Sequence, residues 1–140
     1  KWGGSHEQMF QFARDTANQA GPGSDLHTIL LYAHIERWLY FDAFADDAAG
    51  AKAYLKDPRV IQETLGAYQS SLGSPQLLAR RSTIHARNTA AFWFFLTRQK
   101  TQAQLEIAQI GNAYTELPWA LWDTPAQAYS EASQWAYGVF

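Results

Sequence analysis

The sequence predicts an all-α fold of about seven helices, packed as antiparallel hairpins in a bundle or an α-α superhelix. Apolar residues recur at helical spacing along most of the 140 residues, and no Asn-Gly or Asp-Gly turn or alternating stretch indicates a strand. The links between predicted helices are two to five residues long, which makes consecutive helices antiparallel neighbours. We expect a single helical domain over residues 1–140, belonging to a longer protein because the chain starts at Lys1.

Capping residues and prolines mark the helices of the first half. Ser5, followed three positions later by Gln8, forms a capping box and predicts a helix over residues 5–20. The second helix begins at Ser24 or Asp25 and is apolar on nearly every side, so we expect it to be central. The next two predicted helices are an Ala-rich one that ends before Asp57-Pro58 and one over residues 59–72.

The second half contains the sharpest helix signal and a motif that is typical of helical repeats. Ser74 as cap and Pro75 at the first helical position predict a long helix to about Thr97, followed by a sixth helix and a last one over residues 125–137. Small residues alternate with bulky ones across the hairpin at 75–113, as in a tetratricopeptide unit. No second copy appears at a 34-residue offset, so we predict one such hairpin.

Composition excludes several classes of function. Without cysteine the chain has no disulfides and no thiolate nucleophile or metal ligand, and its four histidines lack the spacing of a metal site. A net charge of −2 and a pI near 6.1 argue against nucleic acid as a partner. We therefore expect no metal, cofactor, nucleic acid or membrane span, leave the oligomeric state open, and favour the cytoplasm as compartment.

The segment "AHIERWLYF" places charged groups inside the most apolar predicted helix. His34, Glu36 and Arg37 include at least one group removed from water, which requires a polar partner. Structural pairing is the favoured interpretation. The alternative is acid-base chemistry by His34 and Glu36, with Arg37 or Arg87 as an electrophile, although Glu36 lies on a different face from His34.

Asn88 is a second polar residue on an apolar face, since the other residues on its side of the predicted helix are largely apolar. A buried amide must be hydrogen-bonded. We expect a bond to a neighbouring helix backbone or to Glu36. The alternative is that Arg87, Asn88 and His34 line a cleft in which a partner group binds.

The segment "ELPWALWDTP" sets Trp119 and Trp122 in a loop bounded by prolines. Exposed tryptophans are favoured anchors for a protein partner. The equal alternative is that both side chains fold back as a lid over the last two helices. Trp93 is the third tryptophan that we place in a partner-binding groove.

Four segments, "KWGGSHEQMFQFAR", "AHIERWLYF", "RNTAAFWFFL" and "IGNAYTELPW", resemble the uncharacterised bacterial domain-of-unknown-function family 4034. The resemblance covers nearly all of the chain, and the segment Trp2-Gly3-Gly4-Ser5, followed by "FAR", is its most specific part. It implies a helical, tetratricopeptide-like domain of a bacterial protein and supplies no catalytic residues.

The leading functional hypothesis is a non-catalytic scaffold that binds a protein or peptide through a groove lined by aromatic side chains. Its predicted binding residues are His34, Arg37, Arg87, Asn88, Trp93, Trp119 and Trp122. A small hydrolase-type enzyme is one alternative, and a structural module of a longer chain is another.

Overall fold

The computed structural model describes residues 5–138, and over that range the protein is all-α, without strands, as predicted. Trp2-Gly3-Gly4, part of the family resemblance, lies outside the described residues. The described helices are α1 His6–Gln19, α2 Ile29–Leu39, α3 Ala48–Tyr54, α4 Pro58–Ser70, α5 Thr83–Thr97, α6 Lys100–Ile110 and α7 Pro125–Tyr137. None of them is long and apolar enough to cross a membrane.

The chain divides into two compact units, Lys1–Leu78 and Ala79–Phe140, called unit 1 and unit 2 below. The single domain expected from chain length stays a prediction.

In unit 1, α1 and α2 lie antiparallel. Phe10 packs against His34, while His6, one turn earlier, contacts Arg37 later in α2. The predicted capping box begins α1. Ser5 accepts a hydrogen bond from the Gln8 backbone, and the Gln8 side chain accepts one from the Ser5 backbone.

The second helix is confirmed in three segments: a 3-10 turn Asp25–Thr28, α2 itself, and a π-helical turn Tyr40–Phe44. Its buried residues confirm that it is central: Leu30, Leu31, Ala33, His34, Ile35 and Trp38.

The predicted start of the fifth helix at Pro75 is wrong by about two turns, because α5 begins only at Thr83. Ser74 does form a local cap, accepting from the Gln76 backbone at 3.0 Å. The backbone N–H of Leu78, however, donates to Gly23 at 3.0 Å instead of to the carbonyl four residues earlier. A tertiary hydrogen bond therefore replaces the helical one, and the segment leaves the helix path.

Unit 2 is built from consecutive antiparallel helices. Arg98, in the left-handed conformation, turns α5 into α6, and Arg87 meets Glu106 across the hairpin. Tyr129 and Tyr137 of α7 donate to carbonyls at the end and the middle of α6. The hairpin thus covers α5 and α6, shorter than the predicted 75–113, and the repeat architecture stays a prediction.

We predict that Gly23→Ala destabilises unit 1 strongly, whereas Gly21→Ala does not. Gly23 has φ +84°, and a Cβ there would lie 2.0 Å from the carbonyl oxygen of Gln76. The left-handed backbone alone costs an alanine about 1–2 kcal/mol, and the clash adds to it. Gly21 has nothing within 4 Å of an added Cβ. Urea unfolding of both variants tests this, and equal midpoints would contradict the tertiary anchor at Gly23.

Candidate functional site

An open cleft of about 680 Å³ lies in unit 1, lined by side chains from α1 to α4. It opens beside the first turn of α1. Its ionisable and aromatic lining residues are His6, Glu7, Phe10, Arg14, His34, Arg37 and Tyr54. Two of the predicted binding residues, His34 and Arg37, are therefore brought together here.

His34 is the polar group at the base of this cleft. Its side chain is almost fully buried, in the middle of α2 and against the Phe10 ring at 4.7 Å between centroids. Both ring nitrogens are hydrogen-bonded: Nε2 lies 2.8 Å from Glu63 Oε1, and Nδ1 contacts the Tyr54 hydroxyl. The predicted need for a polar partner is thus met by α3 and α4.

Glu63 joins His34 to Arg14. Arg14 donates to both carboxylate oxygens, Nε to Oε2 at 2.7 Å and Nη2 to Oε1 at 3.0 Å, a bidentate geometry. The hydrogen bonds from His34 and then Arg14 lower the pKa of Glu63 to about 2, although burial opposes the shift. Glu63 is therefore a carboxylate at neutral pH, able to accept hydrogen bonds and not to donate them.

Tyr54, the last residue of α3, brings a hydroxyl group to the cleft. Burial raises the pKa of its phenol far above the usual range, and the charges of Arg37 and Arg14 only partly oppose this. Tyr54 consequently stays protonated at neutral pH, and its O–H is a hydrogen-bond donor.

Arg37 is held in place by uncharged neighbours. Its guanidinium donates to His6 Nδ1 and lies 4.8 Å from the centroid of the Phe41 ring and 5.9 Å from that of Tyr40. Both rings belong to the π-helical turn after α2, and such turns are frequent at functional sites. Within residues 5–138 no carboxylate forms an ion pair with Arg37. A fixed positive charge thus faces the cleft.

The acidic partner of His34 differs from the one considered in the sequence analysis, which was Glu36. The acid-base pair of His34 with Glu36 is not formed; Glu63 takes that place. Glu63 is the one acidic residue of α4 and Tyr54 the one phenol of α3, which is the only sequence signal that singles them out.

Asn88, in unit 2, uses its hydrogen-bonding capacity fully. The amide nitrogen donates to the Ile84 and Ala113 carbonyls at 2.8 and 3.3 Å. The amide oxygen accepts from Trp119 Nε1 at 2.8 Å and from the Thr115 backbone at 3.2 Å. Asn88 therefore fastens the loop after α6 to α5. The predicted need for hydrogen bonds is met, but the partners lie in the loop and in α5 itself, and not in a neighbouring helix or at Glu36.

The remaining predicted binding residues also lie in unit 2. Trp93 and Trp119 are fully buried, and Trp119 packs edge-on against Phe92 and Tyr129, which is the lid arrangement. Trp122 is 40% exposed, so only this loop tryptophan presents a large surface to solvent. Arg87 donates to the buried Glu106 at 2.8 Å.

Across residues 5–138, histidine, aspartate and glutamate side chains form no group of three that would hold a metal ion. No family model, no curated protein and no solved structure matches the chain. The cleft in unit 1 is therefore interpreted from its geometry alone.

We predict that Asn88→Ala destabilises the protein by at least about 2 kcal/mol. The substitution leaves the Trp119 and Thr115 N–H groups without their acceptor, and each buried unsatisfied group costs about 1–3 kcal/mol. The matched control is Asn112→Ala at an exposed position, expected to change stability by less than about 0.5 kcal/mol. Chemical denaturation followed by tryptophan fluorescence measures both; similar values for the two variants would argue against the role of Asn88 in packing.

Proposed function

We propose that the protein is a non-catalytic binding module whose cleft in unit 1 takes a carboxylate group of a protein or peptide partner. One observation carries this proposal: Arg37 faces the cleft, fixed by His6 and two aromatic rings, with no carboxylate partner among residues 5–138. Arginine binds carboxylates through its planar fork of donors, and a fixed guanidinium loses less entropy on binding.

The surroundings of Arg37 suit an acidic peptide. Phe10 and Tyr54 give the cleft apolar surface for the carbon chain that carries the carboxylate. Arg14 adds positive charge, although Glu63 largely balances it. Glu7 at the exposed rim is the opposing charge, so we expect it to weaken binding without blocking it. We propose this cleft in place of the groove expected around Trp93, Trp119 and Trp122, which lie in unit 2.

The resemblance to domain-of-unknown-function family 4034 remains part of this proposal. Membership would make the chain a helical domain of a bacterial protein. It assigns no role to any residue of the cleft, so the binding proposal stands on the geometry around Arg37.

We predict that N-acetylglutamate binds the cleft and that Arg37→Gln weakens this binding about tenfold or more. A hydrogen bond to a charged group contributes about 1.5–3 kcal/mol, and 1.4 kcal/mol corresponds to a factor of ten. N-acetylglutamate should shift amide signals of α1 and α2 in the ¹⁵N-labelled protein, whereas the uncharged diamide, N-acetylglutamine amide, should not.

The control variant is Arg59→Gln, which removes an exposed arginine of the same unit outside the cleft. It should bind N-acetylglutamate as the unmodified protein does. Equal weakening in both variants, or shifts confined to unit 2, would contradict the assignment of the carboxylate to Arg37.

A hydrolase-type enzyme is the second candidate, favoured by the chain of hydrogen bonds from Glu63 through His34 to Tyr54. A hydroxyl, a base and a carboxylate that orients the base are the components of nucleophilic catalysis. With Glu63 in place of Glu36, this arrangement keeps His34 and Arg37 in the roles that the sequence suggests. The raised pKa of Tyr54 opposes it, because the phenol is then harder to deprotonate.

Turnover of p-nitrophenyl acetate and p-nitrophenyl phosphate tests this candidate. The enzyme interpretation requires hydrolysis that falls at least about a hundredfold in Tyr54→Phe, since acid-base and nucleophilic groups contribute about 10²-fold or more. Rates that are the same in Tyr54→Phe and in the unmodified protein would exclude Tyr54 from catalysis of these reactions.

A further inference from the structure

A chain of hydrogen bonds in the cleft runs from Glu63 through His34 to Tyr54. At the Glu63 end, donor and acceptor are fixed. Glu63 is ionised at neutral pH and only accepts hydrogen bonds, so His34 Nε2, at 2.8 Å, must carry a hydrogen and donate it. The tautomer and orientation of the imidazole follow from that one contact, since the other nitrogen, Nδ1, then faces Tyr54.

At the Tyr54 end, the charge of His34 decides whether the hydroxyl or Nδ1 donates the hydrogen bond. When the imidazole is neutral, Nδ1 has no hydrogen and the Tyr54 O–H must donate to it. The phenol then offers the cleft only an oxygen lone pair, which repels an anion. When His34 is protonated, Nδ1–H donates to the Tyr54 oxygen, and the phenol O–H is released to donate to another acceptor.

We propose that the cleft binds a carboxylate together with a proton: His34 takes the proton, and Tyr54 turns its O–H to the carboxylate beside Arg37. This inference rests on the proposed function and adds Tyr54 as a residue that contacts the ligand. His34 acts as a positioning residue, because it sets the direction of the Tyr54 hydroxyl without touching the ligand.

The charges around His34 decide how far binding and protonation are coupled. From α4, the Glu63 carboxylate lies 2.8 Å from His34 Nε2. From α1 and α2, Arg14 and Arg37 bring positive charge to the same cleft. The incoming carboxylate offsets this positive charge, so ligand and proton each strengthen the binding of the other, as linkage requires.

Three further groups lie close enough to contribute. Glu7 lines the rim, and Asp57 acts electrostatically on Tyr54. His6 is the competitor, because it accepts from Arg37 through Nδ1 and could itself take up a proton. Protonation of His6 would break that contact and disturb Arg37, so its expected effect on binding is opposite in sign.

Calorimetric titration with N-acetylglutamate, in two amine buffers of different ionisation enthalpy, measures the protons taken up on binding. We expect net uptake of up to one proton per bound ligand, and an affinity that rises by up to tenfold as the pH falls by one unit. Tyr54→Phe, which keeps the ring, should bind more weakly and without proton uptake. His6→Gln, which keeps an acceptor for Arg37, should retain the uptake.

Glu63→Gln is the second variant, because it preserves the shape of the side chain while removing the negative charge beside His34 Nε2. Proton uptake should fall in this variant as well, with folding of each variant checked by circular dichroism. Proton uptake that is unchanged in Tyr54→Phe overturns the inference. Binding that depends on Arg37 but involves no proton in the unmodified protein also overturns it and leaves the proposed function intact. Absence of any N-acetylglutamate binding overturns the proposed function itself.

Discussion

The burial of a histidine in an apolar helix is the constraint on which the candidate site depends. α2 packs on several sides in unit 1, and His34 lies at 3% exposure in its middle. A polar group removed from water costs several kcal/mol unless new hydrogen bonds replace those to water. Tyr54 and Glu63 supply them, so the packing of α3 and α4 on α2 also decides which groups reach the cleft.

The same constraint has a different result in unit 2. Asn88 is also fully buried, and its amide makes four hydrogen bonds, two as donor and two as acceptor. That network is closed, since every partner is a protein group that the packing itself provides. The chain from Glu63 through His34 instead ends at a hydroxyl that lines an open cleft. Buried polar networks hold a fold together when they are complete, and they face a ligand only where one end meets solvent.

Local chemistry determines where most of the helices begin. The Ser5 capping box, Asp57 before Pro58, and Pro125 begin helices where the sequence predicts them, because caps and proline act within a few residues of backbone. Ser74-Pro75 carries signals of the same strength, yet α5 starts at Thr83. There a hydrogen bond to the distant Gly23 competes with the helical one, and local signals contain no information about it.

By itself, the sequence determined the all-α class, the central place of α2, and the fact that His34 and Asn88 must find polar partners. These follow from the spacing and polarity of neighbouring residues, which a single sequence displays directly. Only the tertiary structure decided which partners they find: His34 bonds to residues 20 and 29 positions away, and not to the nearby Glu36. Helical periodicity tells which face of a helix is buried, whereas the identity of the group that meets this face depends on how other helices pack against it.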